Sequence, residues 1–299
     1  MELKKSSGYF YGWSIVGAAF LSRFSFASGN ASILGLFFTP LNAQLGWSRT
    51  SIAGVLTLSR LFEGITSPIV GTLLDRYGSR WILVVGGIIL SLGFMGLSAM
   101  TTLWHFYLVR GIFMAIGFSL VSMLVTNTTI SNWFVVRRGR AIALAGMGTS
   151  TGMLIISPIT VAIIAVWGWQ MAWIFFAVLA WVVVIIPSAL IMKRRPEDIG
   201  LKPDGEVVSN YDYSNLQTEK RVQYNSANEA VWTRRQVVRT PAFWLLITAI
   251  SSSMLAFQGV NISIAPYAED LGFGPAAIAL MLMARSVATI LVTPLWGIL

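Results

Sequence analysis

The chain has 299 residues, of which 56% are apolar and only 11% are charged, whereas soluble domains carry about 25% charged residues. Its net charge is +9, but most lysines and arginines lie in alternate loops beside apolar runs, which argues against a nucleic-acid partner. The absence of cysteine and the single histidine, His105, exclude disulfides, thiolate metal sites and His-rich metal sites, and no cofactor is expected.

Repeated apolar runs of about 20 residues predict an all-α integral membrane protein, because strands of a membrane barrel are about half that length and alternate in polarity. The runs predict helices over residues 10–37, 49–73, 81–100, 105–132, 141–165, 170–192, 241–267 and 275–299. Lys4 and Lys5 precede the first run as in a signal peptide. The run continues past Arg23 without a persuasive cleavage site, so we expect a retained helix.

The distribution of basic residues among the loops predicts the membrane orientation of the chain and its division into domains. The tail, the loops at 74–80 and 133–140, and the stretch from Lys193 onward are basic, while the opposite loops hold only Arg49. Basic loops stay in the cytoplasm, so we expect a cytoplasmic N-terminus. The domains are then a six-helix bundle at 1–192, a cytoplasmic central loop at 193–240, and two further helices at 241–299. The central loop is polar, and its part after Gly205 is expected to be flexible, with an amphipathic segment at 228–239.

Residues 71–80, which read GTLLDRYGSR, lie between the second and third predicted helices. Gly71 allows one helix end to approach a neighbour closely, and Gly78 permits a sharp turn. Asp75 can pair with a helix N-terminus or a nearby arginine, and Arg76 and Arg80 hold the turn on the cytoplasmic side.

This decapeptide resembles the signature loop between helices 2 and 3 of the major facilitator superfamily, with Ser79 standing where that family usually has a basic residue. Residues 194–205, RRPEDIGLKPDG, resemble the linker of bacterial members of its monocarboxylate-porter branch. The opening at 11–13 and the stretch from 138 to Pro158 resemble the same branch. The resemblance implies a secondary transporter built from two six-helix halves.

Residues 40–73 and 266–299 match at a spacing of 226, as Pro40 with Pro266 and Gly71 with Gly297. This pattern predicts a parallel repeat, like the two halves of the superfamily. We therefore expect the chain to be an N-terminal half plus two helices of a truncated second half, with about four helices missing.

On the fifth predicted helix, four small residues share one face, which predicts close packing against another helix. They are Ala141, Ala145, Gly148 and Gly152. The alternatives are plain packing and a surface that lets the two halves rock.

Five charged residues fall within predicted spans, where each costs about 2.5–3.5 kcal/mol at a helix centre, so each should line a cavity or pair. They are Arg23, Arg60, Glu63, Arg110 and Arg285. The excess of arginine favours an anionic substrate, because a guanidinium binds a carboxylate in bidentate fashion.

These residues have predicted roles, and for some of them an alternative is open; for Arg23 the alternative is a structural role. Arg23 and Arg285 are candidate substrate ligands; a helix 8 arginine holds the substrate carboxylate in the monocarboxylate branch, although Arg285 can instead pair with a residue of the missing helices. Arg60 and Glu63 form either a static i,i+3 pair or a proton site. Arg110 resembles the arginine pattern of the superfamily's helix 4, which implies proton coupling.

Two polar segments, Ser28–Asn30 and Gln258–Asn261, interrupt the first and seventh predicted helices at corresponding places. Glycine beside a short amide is typical of a bending, substrate-facing segment, so Asn30, Gln258 and Asn261 are candidate ligands. The alternative is hydrogen bonding between helices.

The sequence shows no nucleophile–base pair, metal spacing or phosphate-binding loop, so no enzyme is expected. It predicts a transporter of a small organic anion in the lipid bilayer, in particular a proton-coupled monocarboxylate, located in a bacterial inner membrane. The alternatives are antiport or transport of a neutral solute, and a sensor or non-transporting fragment.

Overall fold

The computed structural model of the chain describes residues 10–201, 203–204, 234–273 and 275–296. These residues are mainly helical, and the one bridge of β type among them joins Phe134 to Asp204. Contacts divide the chain into two compact units, Met1–Glu206 with Leu282–Leu299 and Val207–Met281.

The helices up to residue 133 are α1 (Gly12–Phe26), α2 (Ala31–Gly35), α3 (Phe38–Leu45), α4 (Arg49–Tyr77), α5 (Ser79–Ser98), α6 (Leu103–Phe106), α7 (Met114–Leu120) and α8 (Met123–Trp133). The later helices are α9 (Arg138–Trp167), α10 (Trp169–Leu179), α11 (Ile186–Ile191), α12 (Arg234–Arg239), α13 (Pro241–Asp270) and α14 (Pro275–Trp296). A π-helical turn, Tyr107–Phe113, joins α6 to α7, and a second, Ala180–Ile185, joins α10 to α11.

Four of the described segments are long and apolar enough to cross a bilayer, and a fifth is added if the bent pair Gly12–Gly35 and Phe38–Leu45 is one span. The four are Ser79–Ser98, Leu103–Trp133, Arg138–Trp167 and Trp169–Ile191. They correspond to the third to sixth predicted helices.

The first predicted helix is broken where its polar segment predicted a bend. A 3-10 turn, Ala27–Gly29, ends α1, and Asn30 is extended with φ −70° and ψ 146°. The Asn30 Oδ1 atom accepts a hydrogen bond of 3.1 Å from the Ser32 amide and so starts α2 as an N-cap. The chain then bends by 61° before α3.

The corresponding break predicted in the seventh helix is wrong, because α13 is continuous from Pro241 to Asp270. A single glycine such as Gly259 is tolerated inside a helix. A break would also need other partners for the backbone groups that the helix leaves unpaired. The side chains of Gln258 and Asn261 lie outside the described part of the chain.

The loop predicted at 74–80 is also wrong in extent. Helix α4 continues through Asp75 and Arg76 to Tyr77, and α5 begins at Ser79, so Gly78 is the only residue between them. Gly78 has φ +77° and ψ 165°, which a residue with a Cβ rarely adopts. We call residues 75–80 the signature turn.

The start of the central loop is bound to the helices. Residues 193–201 and 203–204 include a 3-10 turn at Pro196–Ile199 and hydrogen bonds to the helical bundle, and the part expected to be flexible, after Gly205, lies outside the described residues up to residue 233. Within the predicted amphipathic segment, Arg234–Arg239 is helical as α12. Residues 205–233 lie outside the described part.

The predicted small-residue stripe is confirmed as a helix contact. Ala141, Ala145, Gly148 and Gly152 are all buried on one face of α9. A Cβ added at Gly148 or Gly152 would collide with the backbone carbonyl of Phe20 or Phe24 on α1. The missing side chains therefore let α1 and α9 pack backbone to backbone.

We expect Gly148→Ala to destabilise the fold by about 1–3 kcal/mol, because the new methyl group has no room against the Phe20 carbonyl. Gly17→Ala on α1 is the matched control, since nothing lies within 4 Å of a Cβ there, and alanine favours the helix by about 1 kcal/mol. Thermal unfolding in detergent measures both, and an equal Tm for the two variants would contradict the packing argument.

Candidate functional site

Arg23, on α1, is buried at 2% exposure, and two of its three nitrogens have partners on α8. Its Nε donates to Thr126 Oγ1 over 3.0 Å, and its Nη2 donates to Asn127 Oδ1. Its Nη1 is buried and has no hydrogen-bond partner among the described residues. One edge of the guanidinium is therefore fixed, and the remaining nitrogen still has donors to offer.

Helix α9 lies close to that nitrogen. A Cβ added at Gly146 would lie 3.3 Å from Arg23 Nη1, and one at Gly148 would lie 3.2 Å from Arg23 Cβ. The residues that allow α1 and α9 to approach therefore also shape the surroundings of the arginine.

Arg110, in the first π-helical turn, is buried at 3% exposure. Its Nη2 donates to the Gly29 carbonyl over 2.9 Å, and its Nη1 donates to Ser59 Oγ over 3.3 Å. The Ser59 hydroxyl donates in turn to the Arg110 carbonyl over 2.9 Å. Its guanidinium carbon lies 4.8 Å from the centre of the Phe118 ring, within range of a cation–π interaction.

Arg110 therefore joins the break in the first helix to α4 and α7. The carbonyl of Gly29 lies where the regular helix stops, and a carbonyl without a partner is costly inside a bilayer. Proton coupling through Arg110 stays a prediction; its contacts in the structure are to a carbonyl, a hydroxyl and a ring.

The predicted pair of Arg60 and Glu63 is present on α4. Arg60 Nη1 lies 2.6 Å from Glu63 Oε2, and the side chains are 51% and 20% exposed. One turn later, the Thr66 and Ser119 hydroxyls are 2.7 Å apart. The pair is more exposed than Arg23 and Arg110, and its part in proton transfer stays a prediction.

Arg285 lies midway along α14 and is exposed. The Thr289 hydroxyl donates to the Arg285 carbonyl over 2.9 Å, and Thr293 repeats this bond to the Thr289 carbonyl. Asn30 serves as the N-cap of α2. Substrate contacts of Arg285 and Asn30 stay predictions.

At the signature turn, Arg194 donates to the backbone carbonyl of Asp75, where the sequence suggested an arginine on its carboxylate. Arg76 and Arg80 lie over the rings of their neighbours Tyr77 and Trp81, at 5.3 and 5.6 Å. Gly71 is helical within α4, and a Cβ added there would meet no described atom within 4 Å, so the predicted close helix approach at Gly71 is wrong among the described residues.

Sequence reasoning missed the partners of the two buried arginines, which are Ser59, Thr126 and Asn127. It also missed the linker residues Arg194 and Asp204. Adjacent polar residues at 126–127 within an apolar run were a usable signal for a polar contact.

The sequence matches the Major Facilitator Superfamily over residues 17–299. The chain belongs to the Major Facilitator Superfamily. With its apolar helices, this membership makes it a multi-pass integral membrane protein, and it points to transport rather than to enzymatic catalysis.

Several curated relatives are similar to this superfamily member. Monocarboxylate transporter 11 of Homo sapiens is 30% identical over 160 residues, which are 54% of this chain and 34% of the relative. The oxalate:formate antiporter of Oxalobacter formigenes is 25% identical over 265 residues, 88% of this chain and 57% of the relative. Monocarboxylate transporter 2 of Homo sapiens is 22% identical over 290 residues, which are 97% of this chain and 60% of the relative. The chain thus spans between about a third and three fifths of these relatives.

We expect Arg110→Met to lower Tm, because it leaves the buried Gly29 carbonyl without a donor, at a cost of about 1–3 kcal/mol. Ser59→Ala should have a smaller effect, since it removes a hydroxyl and leaves the bond to Gly29. Arg140→Gln, at an exposed arginine, is the control. A Tm for Arg110→Met equal to that of the control would contradict the proposed role of the Arg110–Gly29 bond.

Proposed function

We propose that this protein transports a small organic anion, in particular a monocarboxylate together with a proton, by alternating access. The observation that carries the proposal is the buried Nη1 of Arg23, which has no hydrogen-bond partner among the described residues. Family membership supports transport, and the chemistry of the arginine supports the class of solute.

A buried guanidinium is stable only when its donors are used, because an unmet donor costs about 1–3 kcal/mol or more. Thr126 and Asn127 hold one edge of Arg23 and leave Nη1 for another acceptor. A carboxylate oxygen is a strong acceptor for such a group. Solute binding would therefore complete the hydrogen bonding of Arg23.

The local charge supports the same solute class. Within the described residues, neither Arg23 nor Arg110 forms an ion pair with a carboxylate, and Glu63 is paired with Arg60. The inner part of the bundle therefore carries positive charge that is not neutralised locally, which attracts an anion and repels a cation.

The names of the relatives are consistent with this class. Two of those compared are named for monocarboxylates and one for oxalate and formate, at identities of 22–30%. We also propose that the solute contacts four further residues, namely Arg285, Asn30, Gln258 and Asn261. Proton coupling would involve Glu63, Arg60 and Arg110. A cytoplasmic N-terminus and a bacterial inner membrane are also proposed, from the distribution of basic loops.

Exchange of two anions is the second candidate, because one relative that covers 88% of this chain is named an antiporter. Symport and antiport differ in what drives uptake. A pH gradient drives proton symport, whereas an antiporter needs a counter-anion inside the vesicle.

The test is uptake of radiolabelled lactate, pyruvate, formate and oxalate into proteoliposomes, with an imposed pH gradient or with internal counter-anion. Removing one charged hydrogen bond, worth about 1.5–3 kcal/mol, should raise KM by about ten- to a hundredfold in Arg23→Gln. Arg23→Lys should recover part of the binding, because lysine keeps the charge but lacks the planar fork.

Arg140→Gln is the control for a general loss of positive charge, since Arg140 is exposed. Arg285→Ala tests the second proposed anchor. Uptake with an unchanged KM in Arg23→Gln would overturn the role of Arg23, and no uptake of any of the four acids would overturn the carboxylate assignment.

A further inference from the structure

The start of the central loop is bound to two different turns of the helical bundle. We call residues 193–204, of which all but residue 202 are described, the strap. The carbonyl of its first residue, Lys193, accepts a hydrogen bond of 3.3 Å from Trp133 Nε1. Its next residue contacts the signature turn, and its last contacts the turn between α8 and α9.

At the signature turn, the Arg194 guanidinium donates to the Asp75 carbonyl, which belongs to the last turn of α4. The last carbonyls of a helix have no partner within it, so Arg194 supplies one. The stem of Arg194 also lies against Gly78, where an added Cβ would be 3.2 Å from Arg194 Cβ. Both the φ angle and this contact therefore favour glycine at position 78.

At the other end, the Asp204 carboxylate is held by three consecutive backbone amides. Its Oδ1 accepts from Val135 and Val136, and its Oδ2 accepts from Arg137 over 3.0 Å. The Asp204 amide also donates to the Trp133 carbonyl over 3.2 Å. Charged acceptors strengthen such bonds, and a carboxylate is favoured just before the N-terminus of α9.

Between these anchors, residues 195–201 are held by hydrogen bonds among themselves. Asp198 Oδ2 accepts from the Arg195 amide over 3.1 Å, and the Leu201 amide donates to the Pro196 carbonyl over 3.0 Å. Pro196 is buried. A segment ordered in this way can transmit a displacement from one anchor to the other, which a flexible linker cannot.

We propose that the strap ties the signature turn to the α8–α9 turn as a single unit, and that Arg194 and Asp204 are positioning residues for the signature turn. Arg194 acts on it directly, through Asp75 and Gly78. Asp204 acts on it through the strap, since its hydrogen bonds within the described residues go to the other turn. The effect on transport rests on the proposed function, whereas the mechanical coupling does not.

Hydrogen exchange on the purified chain in detergent tests the coupling. In Asp204→Ala, peptides covering 133–141 should exchange faster, because the amides of 135–137 lose their acceptor. If the strap acts as one unit, peptides covering 74–82 should also exchange faster. Faster exchange confined to 133–141 would overturn the coupling.

Glu197→Gln is the matched control, because it removes an exposed carboxylate from the same strap, and exchange in it should equal that of the unmodified chain. Asp204→Asn separates charge from geometry, since an amide oxygen still accepts from a backbone amide. We expect it to fall between the unmodified chain and Asp204→Ala.

A double-mutant cycle of Arg194→Ala and Asp204→Ala gives the second measurement. If the two anchors hold one unit, the double variant should lower Tm no more than the worse single variant does. Additive losses would mean two independent local contacts and would overturn the proposal.

Uptake assays of the same variants then test the positioning role. We expect Arg194→Ala and Asp204→Ala to lower kcat by a similar factor with little change in KM, and Glu197→Gln to leave both unchanged. Normal kcat in both alanine variants, with altered exchange, would overturn the positioning role while leaving the coupling intact. If no solute is transported at all, the proposed function fails, but exchange and the cycle still decide the coupling.

Discussion

The hydrogen bond from Arg110 to the carbonyl of Gly29 supports the break between α1 and α2. A bilayer offers no water to backbone groups, so a break in a membrane helix persists only if protein groups replace the lost bonds. Asn30 supplies an acceptor to the segment that follows the break, and Arg110 supplies a donor to the segment before it. The polar residues around the break therefore stabilise one another across three segments of the chain.

The two buried arginines differ in how far their hydrogen bonding is satisfied. Arg110 bonds a carbonyl and a hydroxyl and lies over a ring, which is consistent with a structural role. Arg23 has one edge fixed by Thr126 and Asn127 and one nitrogen without a partner among the described residues. Arginines in an apolar environment are costly, and a partly satisfied one is the better candidate for binding a solute. This difference, rather than the number of arginines, singles out Arg23.

The strap contacts the backbone at the end of α4 and just before the start of α9. Helices α4 and α5 are separated by Gly78 alone, and Arg194 closes the end of α4. Asp204 binds the amides ahead of α9. Helix α9 in turn packs on α1 through Gly148 and Gly152, and α1 carries Arg23. A continuous set of contacts therefore runs from the strap to the proposed solute site.

The sequence by itself determined the class of protein, the positions of most spans, the break at Ser28–Asn30, the small face of α9 and the pairing of Arg60 with Glu63. Each of these follows from hydropathy or from residues close together in the chain, for which local spacing is sufficient information. It could not exclude a matching break near Gln258, because glycine and amides permit a break without requiring one. The tertiary structure decided which groups bond Arg23, Arg110, Asp75 and Asp204. Those partners are 50 or more residues away in sequence, so only the packing of the helices brings them together.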